Sequence, residues 1–199
     1  MEVRRISIDW ETSLDRAKDW ARKEKKSILL DFSAAPMCGG CVAMDAVTYP
    51  DAHVAEFISK HYVPVKIKVK DRPDIAAGYD VNWTPSVVIA DESGRAHCRI
   101  EGYVPAEDFL AHLSLALGRY ELDRRQFQRA MHQLEEVSQR HRGTETAAQA
   151  LYWLGVARFK DSKDQAQLRA TWNLLIADYP VSDWSKRANI PRASAAAAS

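Results

Sequence analysis

Apolar positions in the first half of the chain fall into two rhythms. Short continuous runs, "SILLDFS" (27–33), "YVPVKIKV" (62–69) and "PSVVIA" (85–90), read as strands. The first and third carry almost no polar alternation, which predicts strands buried on both faces. "RAHCRIEGY", entered through the turn "DESG", is a fourth strand candidate. Helical patterns lie between these runs. "WETSLDRAKDWARKEKK" precedes the first strand, "CVAMDAVTYPDAHVAEFISKH" separates the first two, and "PAEDFLAHLSLALGRY" follows the last. In the third of these, Pro105 and Glu107 suit a helix's first turn. Strands alternating with helices predict an α/β domain, a sheet covered by helices.

After residue 118 the strand rhythm stops. Phe127, Ala130, Met131, Leu134 and Val137 draw a helical stripe. Gly143 ends it, and Thr144, Glu145 and Thr146 offer a new helix start. A second stripe runs through Ala147, Ala150, Leu151, Leu154 and Ala157; a third helix fits 167–180 and a short fourth fits 182–188. A faint repeat underlies them. Leu117–Gly118 recurs at Leu154–Gly155, and Ala130–Leu134 recurs at Ala170–Leu174, offsets of 37 and 40 residues. Paired helices at that period predict a small all-α, tetratricopeptide-like region. The expected organisation is an α/β domain over 1–118, a helical-repeat domain over 119–190 and a disordered, alanine- and serine-rich tail over 191–199.

Composition narrows the setting. The 199 residues are 46% apolar and 28% charged, with a formal net charge of +1. That balance gives no general pull toward nucleic acid or an anionic membrane. The longest apolar runs are too short to span a bilayer, and Asp9, Glu11 and Asp15 interrupt any secretory leader. The cytoplasm is the expected location. In that reducing compartment a close cysteine pair serves catalysis or metal binding rather than a permanent staple.

The chemistry sits in "SAAPMCGGCVAM" (33–44), where Cys38 and Cys41 stand three apart. A pair opening a helix places its first sulfur beside unpaired backbone N–H groups, which favour the thiolate. The second sulfur follows one turn later on the same face, within reach of a mixed disulfide. Structural zinc would need four ligands, usually two such pairs. Only Cys98 and scattered histidines remain, and His97 and Cys98 point to opposite faces of a strand. Redox chemistry is therefore favoured over metal binding, and neither a metal nor another cofactor is expected. Cys98 alone reads as a small core residue. The basic stretch over 124–142 reads as a solvated helix face, and Tyr152, Trp153, Trp172, Tyr179 and Trp184 read mainly as helix packing.

Across most of residues 6–118 the chain resembles the thioredoxin superfamily. The resemblance rests on the strand "ILLDF" before the cysteine pair, the helix after it, Trp83-Thr84-Pro85 lying 44 residues beyond Cys41, a hairpin and a closing helix. It implies a thioredoxin-like fold with a central mixed sheet. It also implies roles: Cys38 attacks, Cys41 resolves, and Pro85 is the cis-proline facing them. Trp83 and the Thr84 backbone meet an extended substrate. Asp31 is the buried carboxylate that helps deprotonate Cys41, with Lys66 as its partner. The residues themselves leave Asp31 and Lys66 open, since charges at strand ends can equally face solvent. Three departures stand out: Asp31 lies seven residues before Cys38 where the family pattern has six, Met37 replaces a tryptophan, and Gly39-Gly40 fills the space between the cysteines. The whole layout is similar to bacterial thioredoxin–tetratricopeptide fusions.

The expected function is reduction of disulfides in client proteins, with a thioredoxin-reductase-like protein or glutathione as the resetting reductant. The helical region would hold clients carrying disulfides or unfolded segments. The alternative is a chaperone or adaptor whose cysteine pair is inactive or merely protective.

Overall fold

The computed structural model describes residues 7–190; the expected tail lies outside them. The chain divides into two compact units, Met1–Ala116 and Leu117–Ser199.

In the first unit, β1 (Ser27–Ser33), β2 (Tyr62–Lys68), β3 (Ser86–Ala90) and β4 (Ala96–Glu101) form one mixed sheet in the order β2-β1-β3-β4. β2 runs parallel to β1, whereas β3 and β4 are antiparallel to their neighbours. β1 is buried at every position and so is β3, as their unbroken apolar runs predict. One sheet face presents Ile28, Leu30, Phe32, Val63, Val65, Ile67, Val88 and Ala90 to α1 (Leu14–Glu24) and α4 (Pro73–Gly78). Strand alternation sends Leu29 and Asp31 to the opposite face. There Tyr62 donates its hydroxyl to the carbonyl of Leu113 in α5 (Ala106–Asp123), 2.7 Å away.

Two elements differ from expectation. The helix expected from Trp10 starts at Leu14, because Ser13 caps it by accepting the Arg16 N–H. The residues before it do something else. Glu11 N–H donates to Pro64 O and Lys66 N–H donates to Glu11 O, both at 2.9 Å, so this segment lies along the β2 edge. The long helical pattern after the cysteines is also divided. α2 (Gly39–Ala43) passes into a π-helical turn, Met44–Thr48, and Pro50 ends the run. Asp51 then caps α3 (Ala52–His61) by accepting from His53 and Val54 N–H. Sequence periodicity also missed α4, whose six residues are too few to show a stripe.

The second unit holds α6 (Phe127–Arg140), α7 (Glu145–Ser162), α8 (Gln165–Asp178) and α9 (Asp183–Ala188). Thr144, Asp164 and Ser182 cap the last three through their side-chain oxygens. The Leu-Gly repeat has a structural counterpart. A β-carbon on Gly118 would lie 2.9 Å from Leu134, and one on Gly155 would lie 2.8 Å from Trp172. Each glycine thus lets the next helix approach closely. Tyr152 stacks on Trp172 with centroids 4.9 Å apart, and Trp184 closes on Tyr152 at 5.3 Å, so these aromatics pack. Gly155→Ala is expected to destabilise this unit by about 2 kcal/mol, because Trp172 must leave its stack. Near-ultraviolet circular dichroism through a thermal melt checks it; an unchanged midpoint would mean that the helices part without cost.

Candidate active site

Cys38 and Cys41 sit where β1 gives way to α2. Cys38 is the cap residue of that helix, in extended conformation, and its Sγ accepts the Cys41 N–H at 3.3 Å. Its thiol donates to the Thr84 carbonyl at 3.4 Å. Cys41 is 1% exposed, and its Sγ accepts the Ala34 N–H at 3.4 Å. Both are free thiols. The two differ in acidity. Partial burial opposes ionisation of Cys38, but hydrogen bonding from the side chains of Cys41 and Thr84 and from the backbone N–H groups of Cys41 and Gly40 more than offsets it, so its pKa falls. Burial, and then the bond to Cys38, push the Cys41 thiol up.

The Thr84–Pro85 peptide bond is cis, and so is Ala35–Pro36. Pro85 packs against the cysteine turn: a β-carbon on Gly40 would come 3.0 Å from its Cδ and 3.6 Å from Tyr103. The second glycine between the cysteines therefore permits this approach, while Gly39 has open space around it. Cys38, Gly40, Val69, Val81, Trp83 and Pro85 line a groove of 660 Å³ beside the reactive sulfur. Trp83 and Tyr103, which also line it, are 69% and 43% exposed, and Met37, next to Cys38 in the chain, is 91% exposed. Trp83 and Tyr103 thus expose apolar surface along one groove, as surfaces that meet another molecule do.

Asp31 and Lys66 are paired residues across β1 and β2, and the structure resolves which way they face. Asp31 is 1% exposed, with its Oδ2 3.4 Å from Lys66 Nζ. Burial carries its pKa up to about 6, against the opposing pull of Lys66 and Tyr49. Three further residues complete this cluster. Asp45 on the π-helical turn also binds Lys66. Tyr49 and Trp10 place their rings 5.1 Å and 4.8 Å from the Lys66 ammonium. Asp31 Oδ1 and the Tyr49 hydroxyl are both buried without closing a hydrogen bond. Sequence reasoning missed all three. Asp45, four residues after Cys41 on a helical pattern, carried a spacing signal; Tyr49 and Trp10 carried none.

Among the described residues, no group of three or more His, Cys, Asp or Glu side chains is placed to hold a metal ion. The reactive groups the site presents are two thiols. A thiol of lowered pKa beside a groove, backed by a second buried thiol, is equipped to attack a disulfide and resolve the product.

Comparison with known proteins agrees with this geometry. Over 107 residues the chain is 25% identical to the thiol:disulfide interchange protein DsbD of Campylobacter jejuni (strain RM1221), covering 53% of this chain and 19% of that protein. It thus spans about a fifth of that relative's length. Identity to a thioredoxin of Mycoplasma genitalium is 36% over 83 residues, 41% of this chain and 74% of that one. A solved structure described as a DsbH oxidoreductase matches with a TM-score of 0.53 at 19% identity, covering 59% of this chain and 89% of that chain, a likeness of fold. The thioredoxin-like domain model matches residues 14–117, a little over half of the 199-residue chain. Residues 14–117 therefore carry the fold, the cysteine turn and the proline that faces it, and the chain belongs to the thioredoxin-like family.

Proposed function

We propose that the protein is a thiol–disulfide oxidoreductase that reduces disulfides in client proteins. The Cys38 thiolate attacks one sulfur of the client disulfide and releases the other as a thiolate. Cys41 gives its proton to Asp31 and attacks the Cys38 sulfur of the mixed disulfide, which frees the second client thiolate. Two electrons pass to the client, and a Cys38–Cys41 disulfide remains. A dithiol protein of the thioredoxin-reductase kind, or glutathione, returns the two electrons. The observation that carries this reading is the placement of the two thiols: Cys38 lines the apolar groove, Cys41 lies buried behind it within the same turn, and their acidities are shifted in opposite directions.

Trp83, Met37 and Tyr103 suit an apolar, extended segment of client beside the Thr84 carbonyl, where peptide backbone can pair. The helical unit is read as a tetratricopeptide-like holder of clients. Its support is the recurrence of the glycine contact at Gly118 and Gly155, and a groove of 740 Å³ lined by α6, α7 and α8 with Leu174 and Val181 exposed on its rim.

Redox titration of the Cys38–Cys41 pair in dithiothreitol or glutathione buffers, followed by thiol alkylation, tests the reductive direction. A potential at or below about −250 mV is expected, in the range of cytosolic reductants. A value of about −180 mV or higher would overturn reduction in favour of oxidation or isomerisation. If no disulfide forms between the two cysteines, the exchange reading fails and the adaptor reading takes its place.

A further inference from the structure

Lys66 is held in an unusual enclosure. Its ammonium lies 3.4 Å from Asp31 Oδ2, is hydrogen-bonded to Asp45 Oδ1, and stands 4.8 Å from the Trp10 ring and 5.1 Å from the Tyr49 ring. The two rings meet edge to face, centroids 4.9 Å apart, and form two walls around the cation. Trp10 is not placed there by helix or strand of its own. The backbone bonds of Glu11 to Pro64 and Lys66, on either side of Val65, fix it against the strand that carries Lys66.

The two carboxylates compete unequally for this cation. Asp45 has a side chain 38% exposed, whereas that of Asp31 is 2% exposed. A lysine free to choose would follow Asp45 toward water, where its charge stays hydrated. Cation–π contact within about 6 Å favours an ammonium that has shed part of that water. The rings therefore favour the inner position, the one that keeps positive charge against Asp31. The other groups facing Asp31 do not substitute for it. Tyr49 contributes a phenol, Asp45 a like charge, and Val87 opposite on β3 is apolar. Glu11 beside Trp10 is engaged with Arg16 at 2.9 Å.

We propose that Trp10 is a positioning residue: with Tyr49 it holds the Lys66 ammonium against Asp31, and so sets the pH at which that carboxylate takes the proton of Cys41. The inference rests on the exchange reading above for its catalytic half, while the clamp itself is a property of the folded chain.

The test follows the Asp31 carboxyl carbon by NMR through a pH titration of the full chain, beside the pH profile of insulin-disulfide reduction. In Trp10→Leu the Asp31 midpoint should rise by about one pH unit as the cation withdraws. The profile should move the same way, and Trp10→Phe, which keeps a ring, should recover more than half of both shifts. An Asp31 midpoint in Trp10→Leu equal to that of the parent overturns the clamp. A midpoint that moves while the profile stays fixed overturns the link to exchange. Should Trp10→Leu fail to fold, Trp10→Phe is compared in the parent and in Lys66→Met. The small rise it causes should vanish without the lysine; an equal rise in both backgrounds sinks the proposal. A chain that reduces insulin at no pH ends the exchange reading and the catalytic half with it, and the carboxyl titration still decides the clamp.

Discussion

Cys38→Ser is expected to reduce insulin disulfides no faster than dithiothreitol alone, whereas Cys41→Ser should accumulate a mixed disulfide with its client. The asymmetry follows from where the two sulfurs sit. Cys38 caps α2 at the edge of the groove, and the hydrogen bonds it gathers there outweigh its partial burial. It is the sulfur that is both nucleophilic and reachable. Cys41, 1% exposed and pushed up by burial, is out of reach of a client, and on the proposed exchange it would act only on the sulfur of Cys38. Serine at position 38 keeps the cap but offers a hydroxyl that stays protonated at neutral pH. Serine at position 41 leaves attack intact and removes resolution. Alkylation separates the two thiols further: Cys38 should react at half its plateau rate below the ordinary thiol pKa of about 8.5, and Cys41 above it. Equal activity in parent and Cys38→Ser would show that the pair is ornamental and the helical unit carries the function.

Asp31→Asn should make the protein more stable at pH 7.5 by about 2 kcal/mol and slow its turnover. The carboxyl titrates at about 6 in the folded chain against a model-compound value of 3.8. Below pH 3.8 the group is protonated folded or unfolded, and it contributes nothing to the difference. Between 3.8 and 6 the unfolded chain has released the proton that the folded chain keeps, so stability falls as pH rises. Above 6 the full cost of burying the anion, about 3 kcal/mol, is present. Asparagine removes that cost but returns part of it, because Lys66 loses one of its partners. Guanidinium unfolding at pH 7.5 and at pH 3.5 measures the effect. A gain at both pH values would assign it to packing rather than charge. Under the proposed exchange, turnover should fall because Cys41 would lose its proton acceptor, while the alkylation rate of Cys38, which does not depend on that step, should stay the same.

What the sequence revealed, it revealed through period and spacing. β1 and β3 were legible because their apolar runs are continuous, and the C-terminal helices because their stripes are long. The cysteine pair and Pro85 could be read because their spacing is local or family-wide. Asp31 could not be oriented: a strand's alternation says that two faces exist, and only the register with Lys66 and the covering helices decides which is dry. Trp10 was read as helix because nothing local contradicts it. Its true place depends on backbone bonds to Pro64 and Lys66, more than fifty residues away. The π-helical turn was invisible for a similar reason. It adds a residue to one turn without changing composition, yet Asp45 on that turn reaches Lys66.

The strip of chain along β2 also bears on how copies of this protein behave toward one another. An unpaired strand at the side of a sheet is a template on which a neighbouring molecule can add its own strand and begin an aggregate. Here the β2 side is occupied by Glu11 and further blunted by Pro64, which has no N–H to offer. The β4 side is broken by a register shift beside Ala90 and carries the exposed charges of Arg99 and Glu101. Both margins are thus poor templates for growth, and loss of the strip through Glu11 would open the longer of them. The same few residues that would steady a lysine thereby help to keep the protein in solution.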